Sequence, residues 1–115
     1  MRTQLLTLLY LIFALSAFGQ TITVQSHPVT GVQQGGKMVT DENGNIYSFG
    51  RFTDTLSIGS LSVVAAGYFD MYLVKMDAQF QPAWLMSIGG AFDDGAGDIA
   101  YYNGNLYITG WYAGQ

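Results

Sequence analysis

The stretch "GAGDIAYYNGNLYITG", Gly95 to Gly110, decides the fold. Its first six residues satisfy the loose dinucleotide pattern G-x-G-x-x-A, which needs a strand before it and a helix after it. The next residues are instead Tyr101-Tyr102-Asn103-Gly104. Asn-Gly is the strongest short-range hairpin signal, because both central residues of a type I′ turn take positive φ. With a hairpin in place of a helix, no helix N-terminus is available to hold a pyrophosphate. The glycines are turn glycines.

The same sentence is written twice. "GGKMVTDENGNIYSFGRF" (Gly35–Phe52) aligns without gaps on "GAGDIAYYNGNLYITGWY" (Gly95–Tyr112) at an offset of 60. Gly35/Gly95, Asn43/Asn103, Gly44/Gly104, Asn45/Asn105, Tyr47/Tyr107 and Gly50/Gly110 are identical, where chance would give about one identity. Each copy reads strand, Asn-Gly turn, strand: Lys37–Thr40 then Ile46–Phe49, and Asp98–Ala100 then Leu106–Thr109. Between the copies, Met71–Met76 and Ala83–Ile88 are short apolar runs with turn-like flanks, and Leu56–Ile58 and Leu61–Ala65 are weaker candidates. The chain past residue 19 shows no sustained helical spacing. In "DMYLVKM" both alternating sets, Met71/Leu73 and Tyr72/Val74, are apolar, so both faces of that strand call for burial. Sheets covered on two sides satisfy this. About 60 residues with roughly four strands is the size of a long β-propeller blade.

Bulk composition narrows the class. Past residue 19, Lys37, Arg51 and Lys75 face eight acids, which offers no phosphate-tracking stripe and argues against a nucleic-acid partner. The chain has 15 glycines, 2 prolines and no cysteine, so stability must come from burial rather than disulfides. Arg2 precedes an apolar run from Leu5 to Phe18, and small residues sit at Ala17 and Gly19. That pattern predicts a secretory signal peptide over residues 1–19, with Gln20 as the mature start. The run is shorter than the roughly 18 to 20 residues of a spanning helix. A secreted or cell-surface protein with no membrane span after cleavage is expected.

Taken together, these residues resemble the SBBP-type β-propeller repeat of secreted bacterial proteins. The family pattern falls on Asp41, Gly44, Asn45, Tyr47, Gly50 and Phe52. It continues on Gly67, Asp70, Tyr72, Leu73, Lys75, Met76 and Asp77, then Trp84, Gly89, Gly90, Asp94 (or Asp93), Gly95 or Gly97, Ile99 and Ala100, and begins again with Gly104, Asn105, Tyr107 and Gly110. The likeness covers about residues 35–112. Two departures are visible: "QFQP" stands where the family has a glycine turn before the Trp, and Tyr101 stands where it has Asp. The resemblance implies an all-β chain of four-stranded antiparallel propeller blades. About one full blade and partial flanking blades are expected, as a fragment of a larger propeller. The expected organisation is a lead-in over 20–34, a repeat unit over 35–94, and the truncated start of the next repeat over 95–115.

No residue set promises chemistry. In "DENGN", Asp41, Asn43 and Asn45 sit at calcium-loop positions, but Ile46 and Phe52 stand where that loop needs Gly and Glu; an Asx-type hairpin turn is the better reading. Asp93, Asp94 and Asp98 could supply paired carboxylates for glycoside cleavage, yet a turn aspartate accepting backbone N–H groups accounts for them. His27 is the one histidine, so neither a zinc site nor a Ser-His-Asp set is supported. Lys75 is expected to reach Asp70 or Asp77. Trp84, Trp111, Tyr101 and Tyr102 are expected to fill the gap between blades rather than stack on sugars. No catalytic, cofactor or metal residues are assigned. The expected function is a non-enzymatic structural or interaction module whose partners are further blades of the same chain or other copies of it, and an unidentified protein or glycan. The alternative is the propeller part of an extracellular polysaccharide-acting enzyme whose catalytic residues lie elsewhere.

Overall fold

The computed structural model describes residues 31–114, all of them strand, turn or irregular chain. The expected signal peptide, Gln20 and His27 lie outside the described residues. Eight strands succeed one another: β1 (Gln33–Thr40), β2 (Ile46–Phe52), β3 (Thr55–Ile58), β4 (Leu61–Val64), β5 (Asp70–Met76), β6 (Pro82–Ile88), β7 (Asp94–Tyr102) and β8 (Asn105–Tyr112). Every apolar run singled out in the sequence past residue 19 is a strand. β1 begins inside the expected lead-in, because Gln33 pairs with Phe52 and the Thr53 N–H donates to the Val32 carbonyl at 2.8 Å.

β1, β2, β5 and β6 form one antiparallel sheet in that order, while β3–β4 and β7–β8 are separate two-stranded sheets. The expected four-stranded antiparallel sheet is present, and the 60-residue period adds to it the two strands of the β3–β4 hairpin. Phe52 pairs directly with Asp70, so the chain leaves the sheet after β2, builds the β3–β4 hairpin, and re-enters at the same rung. That excursion accounts for the unusual length of the period.

Both faces of the central sheet are covered. Tyr72, Val74 and Met76 of β5 point to one side, where they pack with Phe52 and with Leu56 and Ile58 of the β3–β4 hairpin. Met71 and Leu73 point to the other, with Tyr47 and Phe49 of β2 and Ile99 of β7. In β5 only Lys75 escapes full burial, as the doubly apolar "DMYLVKM" requires. Phe49, Phe52, Leu56 and Val74 are at most 1% exposed, and burying a side chain of this size stabilises by about 1.5–3 kcal/mol.

Asn-Gly does not make the same turn twice. In the second copy Asn103 (φ 52°) and Gly104 (φ 82°) both take positive φ and form a two-residue hairpin, as expected of type I′. In the first copy only Gly44 does (φ 81°), and the loop spans Asp41 to Asn45 between the paired Thr40 and Ile46. The Asp41 carboxylate is the cause: its Oδ1 accepts the Asn43 and Asn45 N–H groups at 2.9 Å, winding a type I turn closed by a left-handed glycine. Tyr101 occupies that position in the second copy and can offer no such acceptor. The two hairpins are therefore out of register by one residue. Val39 pairs with Tyr47, whereas its counterpart Ile99 pairs with Ile108 rather than Tyr107.

The turn of the β5–β6 hairpin repeats the Asp41 design. Asp77 Oδ1 accepts the Gln79 and Gln81 N–H groups at 2.8 and 2.9 Å, and Phe80 takes the left-handed position at φ 63°. This is the "QFQP" turn of the sequence.

Candidate functional site

The residues that carry the chain's pattern gather in two places. One is the junction between the central sheet and the β7–β8 hairpin. Register aligns Tyr47, Lys75 and Trp84 in one row across β2, β5 and β6. Tyr47 stacks nearly parallel on Tyr101 of β7, centroids 6.1 Å apart and planes 11° apart, and tilts against Trp84 at 6.2 Å. Lys75 Nζ lies 5.7 Å from the Tyr47 ring centroid. The expected pairing of Lys75 with Asp70 or Asp77 is thus corrected. The strand row places Lys75 over an aromatic face, and both aspartates are engaged with backbone N–H groups.

Electrostatics tie the turn to this junction. Asp41 Oδ2 accepts the Asn45 side-chain amide at 2.9 Å and the Tyr47 hydroxyl at 3.1 Å. The Asn45 amide chiefly, with backbone donors and Tyr47, holds the Asp41 carboxyl below its ordinary value. Across the junction the Tyr101 hydroxyl donates to Glu42 at 2.7 Å. That bond, with the neighbouring negative charge, pushes the Tyr101 phenol up to about 12.

The second place is a pair of matching loops at the starts of β5 and β7. Asp70 Oδ2 accepts the Ala66 N–H, four residues back, at 2.8 Å, and Asp94 Oδ2 accepts the Gly90 N–H, also four back, at 2.8 Å. Asp70 Oδ1 adds the Gly67 N–H at 3.2 Å, while Asp94 Oδ1 is buried with no hydrogen-bond partner among the described residues. Both aspartates are at most 1% exposed. Gly89 separates them: a Cβ there would lie 2.5 Å from Asp94 Oδ2 and 2.8 Å from Asp70 Oδ1. The Asp94 N–H donates to the Phe69 carbonyl, and the Phe69 N–H donates to Asp93. Asp70, Gly89, Gly90 and Asp94 are therefore one structural unit, as the turn reading of Asp93 and Asp94 expected. Asp98 stands apart, exposed and 3.8 Å from Lys37 Nζ.

The remaining pattern residues fill backbone roles or lie open. Gly50 faces the Tyr72 ring, and Gly110 faces the Gly95 carbonyl and Met71. Asn105 closes the second turn opposite Tyr102. Of the four aromatics expected between units, Trp84 and Tyr101 are there; Tyr102 and Trp111 are 73% and 52% exposed. The β7–β8 hairpin pairs with no further strand among the described residues, which leaves Tyr102 open, and Trp111 borders a cleft that Gln34, Lys37 and Arg51 also line. Tyr107 is 56% exposed, whereas its counterpart Tyr47 is 7% exposed. Phe80 and Arg51 escaped the sequence reading: the five-residue loops share only their leading Asp, and an isolated Arg carries no pattern.

No cluster of three or more His, Cys, Asp or Glu able to hold a metal forms among the described residues. No helix long and apolar enough to cross a membrane is present among them. Comparison with protein-family models, with curated proteins and with solved structures finds no match.

Proposed function

We propose that this chain is a non-enzymatic structural and interaction module of an exported bacterial protein, built from SBBP-type repeats that stack as blades of a β-propeller. One observation carries the reading: the second copy of a 60-residue repeat lays its hairpin face to face on the antiparallel meander of the first. Radial stacking of such sheets is the propeller plan. Tyr47 is buried under the next hairpin, so the exposed Tyr107 face is the seat of a further repeat.

Gel filtration and light scattering of the chain test this. Association that is lost in Tyr107→Ser is expected, since a face of this kind left in water associates. A monomer at high concentration, with the Tyr107 face open and unreactive, would overturn the stacking role. Turnover of any polysaccharide by the purified chain would overturn the non-enzymatic reading. Export is tested by N-terminal sequencing of secreted material, which is expected to start at Gln20; retention of Met1 inside the cell would refute it.

A further inference from the structure

A cleft of about 420 Å³ opens between β1 and β2 of the central sheet and the β7–β8 hairpin, lined by Gln34, Lys37, Arg51, Trp111 and glycine backbone. Lys37 and Arg51 are two of only three cations among the described residues, against eight acids. Their convergence runs against the charge of the rest of the molecule.

Arg51 is held in place from two sides. Its Nε donates to Gln34 Oε1 at 2.6 Å, and its guanidinium carbon sits 4.2 Å from the Phe69 ring centroid. These contacts engage Nε and one face of the guanidinium, and the remaining N–H donors of the fork are carried by the two Nη nitrogens. A guanidinium fixed at Nε and stacked on a ring presents the planar fork that matches a carboxylate. Trp111 lies across Gly95, with no room for a Cβ beneath the indole, and half its surface is open. Lys37 is shared with Asp98 at 3.8 Å, so the cleft carries about one net positive charge.

We propose that this cleft binds an acidic sugar, a hexuronic acid unit whose carboxylate sits on the Arg51 fork while its ring stacks on Trp111. One net charge suits a monoanion. An aromatic plate beside the fork suits a ring with an apolar face and disfavours a bare inorganic anion. The site belongs to the junction of the two repeats and does not depend on the number of further repeats.

The test is a titration of the whole chain with glucuronate and galacturonate, read by Trp fluorescence and by the indole N–H signals in NMR. Glucose, acetate and inorganic phosphate are the comparison arms. A uronate is expected to shift the Trp111 indole signal, with glucose and acetate each at least tenfold weaker. Arg51→Gln and Trp111→Ala are each expected to lose tenfold or more. Lys37→Gln is expected to lose less and to flatten the salt dependence. Where Arg51→Gln fails to fold, the salt dependence of the native chain and Trp111→Ala decide. Glucose binding as tightly as glucuronate would overturn the role of the fork. Acetate or phosphate binding as tightly would reduce the cleft to a small-anion site and overturn the sugar. No shift with any uronate at millimolar concentration would overturn the proposal outright.

Discussion

Three aspartates do unlike work by unlike surroundings. Asp70 satisfies both carboxylate oxygens with backbone N–H groups, whereas Asp94 leaves Oδ1 buried and unpaired beside it. Replacing either with Asn therefore has different consequences. Asp70→Asn turns an amide NH₂ toward a backbone donor and is expected to cost about 2 kcal/mol. Asp94→Asn removes a buried charge and can place its NH₂ where no donor stands, so a change within about 1 kcal/mol of zero is expected. Urea denaturation of the two variants checks the order, and equal losses would refute it. Asp41 and Tyr101 set the pH response. Asp41 is depressed, so its contribution is present above the ordinary carboxylate value of 3.8 and is lost as pH falls through the lower folded value. Tyr101 is raised, so its contribution is present below 10 and is lost between 10 and about 12. Thermal melts across pH, repeated for Tyr101→Phe, are expected to show the alkaline loss only in the native chain.

At the scale of the element, the five-residue loops are the informative pieces. Phe80 sits at φ 63° where the matching loop has Gly44, and its ring packs at the edge of the core that Leu56 and Ile58 build. A bulky residue held in the left-handed region costs about 1–2 kcal/mol. Phe80→Gly relieves that strain while losing the packing, and is expected to be near neutral. Phe80→Ala loses the packing and keeps the strain, and is expected to cost about 2 kcal/mol. Glycine outranking alanine inside a hairpin is the signature to look for in melting temperatures; the reverse order would show that the φ is not strained. The strands themselves were legible, because alternation and turn residues are local properties. What Asn-Gly would do was not, because the residue two positions before it selects between a five-residue and a two-residue loop. Tyr47, Asp70 and Asp94 were legible as pattern residues through the family resemblance. Their partners, including Tyr101 across the junction and Arg51 beside Phe69, depend on which strands pair and on which sheets stack. Those contacts are long-range, and no short window of sequence displays them.

Over the whole molecule, one sheet serves two cores, and the second core rests on the register of β7–β8. Ile99 is buried because it pairs with Ile108 and so shares a face with Tyr101 and Leu106. Tyr101→Asp restores the acceptor found in the first copy and is expected to draw the second hairpin into the five-residue form. Ile99 would then pair with Tyr107, as Val39 pairs with Tyr47, and its side chain would turn outward. Cross-strand NMR contacts from Ile99 distinguish the two registers. Retention of the Ile108 pairing in the variant would show that stacking, not the turn, sets the register.

The one-residue slip between the hairpins also bears on which parts of the two copies can be exchanged. Gly35–Phe52 and Gly95–Tyr112 align without gaps, so the first strand of one can be joined in a chimera to the turn and second strand of the other. A crossover before the turn joins one copy's first strand to the other copy's loop. The product keeps every strand and every Asn-Gly, yet presents the opposite side of its first strand to the core. Each copy is therefore a matched strand and turn. Exchange upstream of both keeps that match, and exchange between them breaks it.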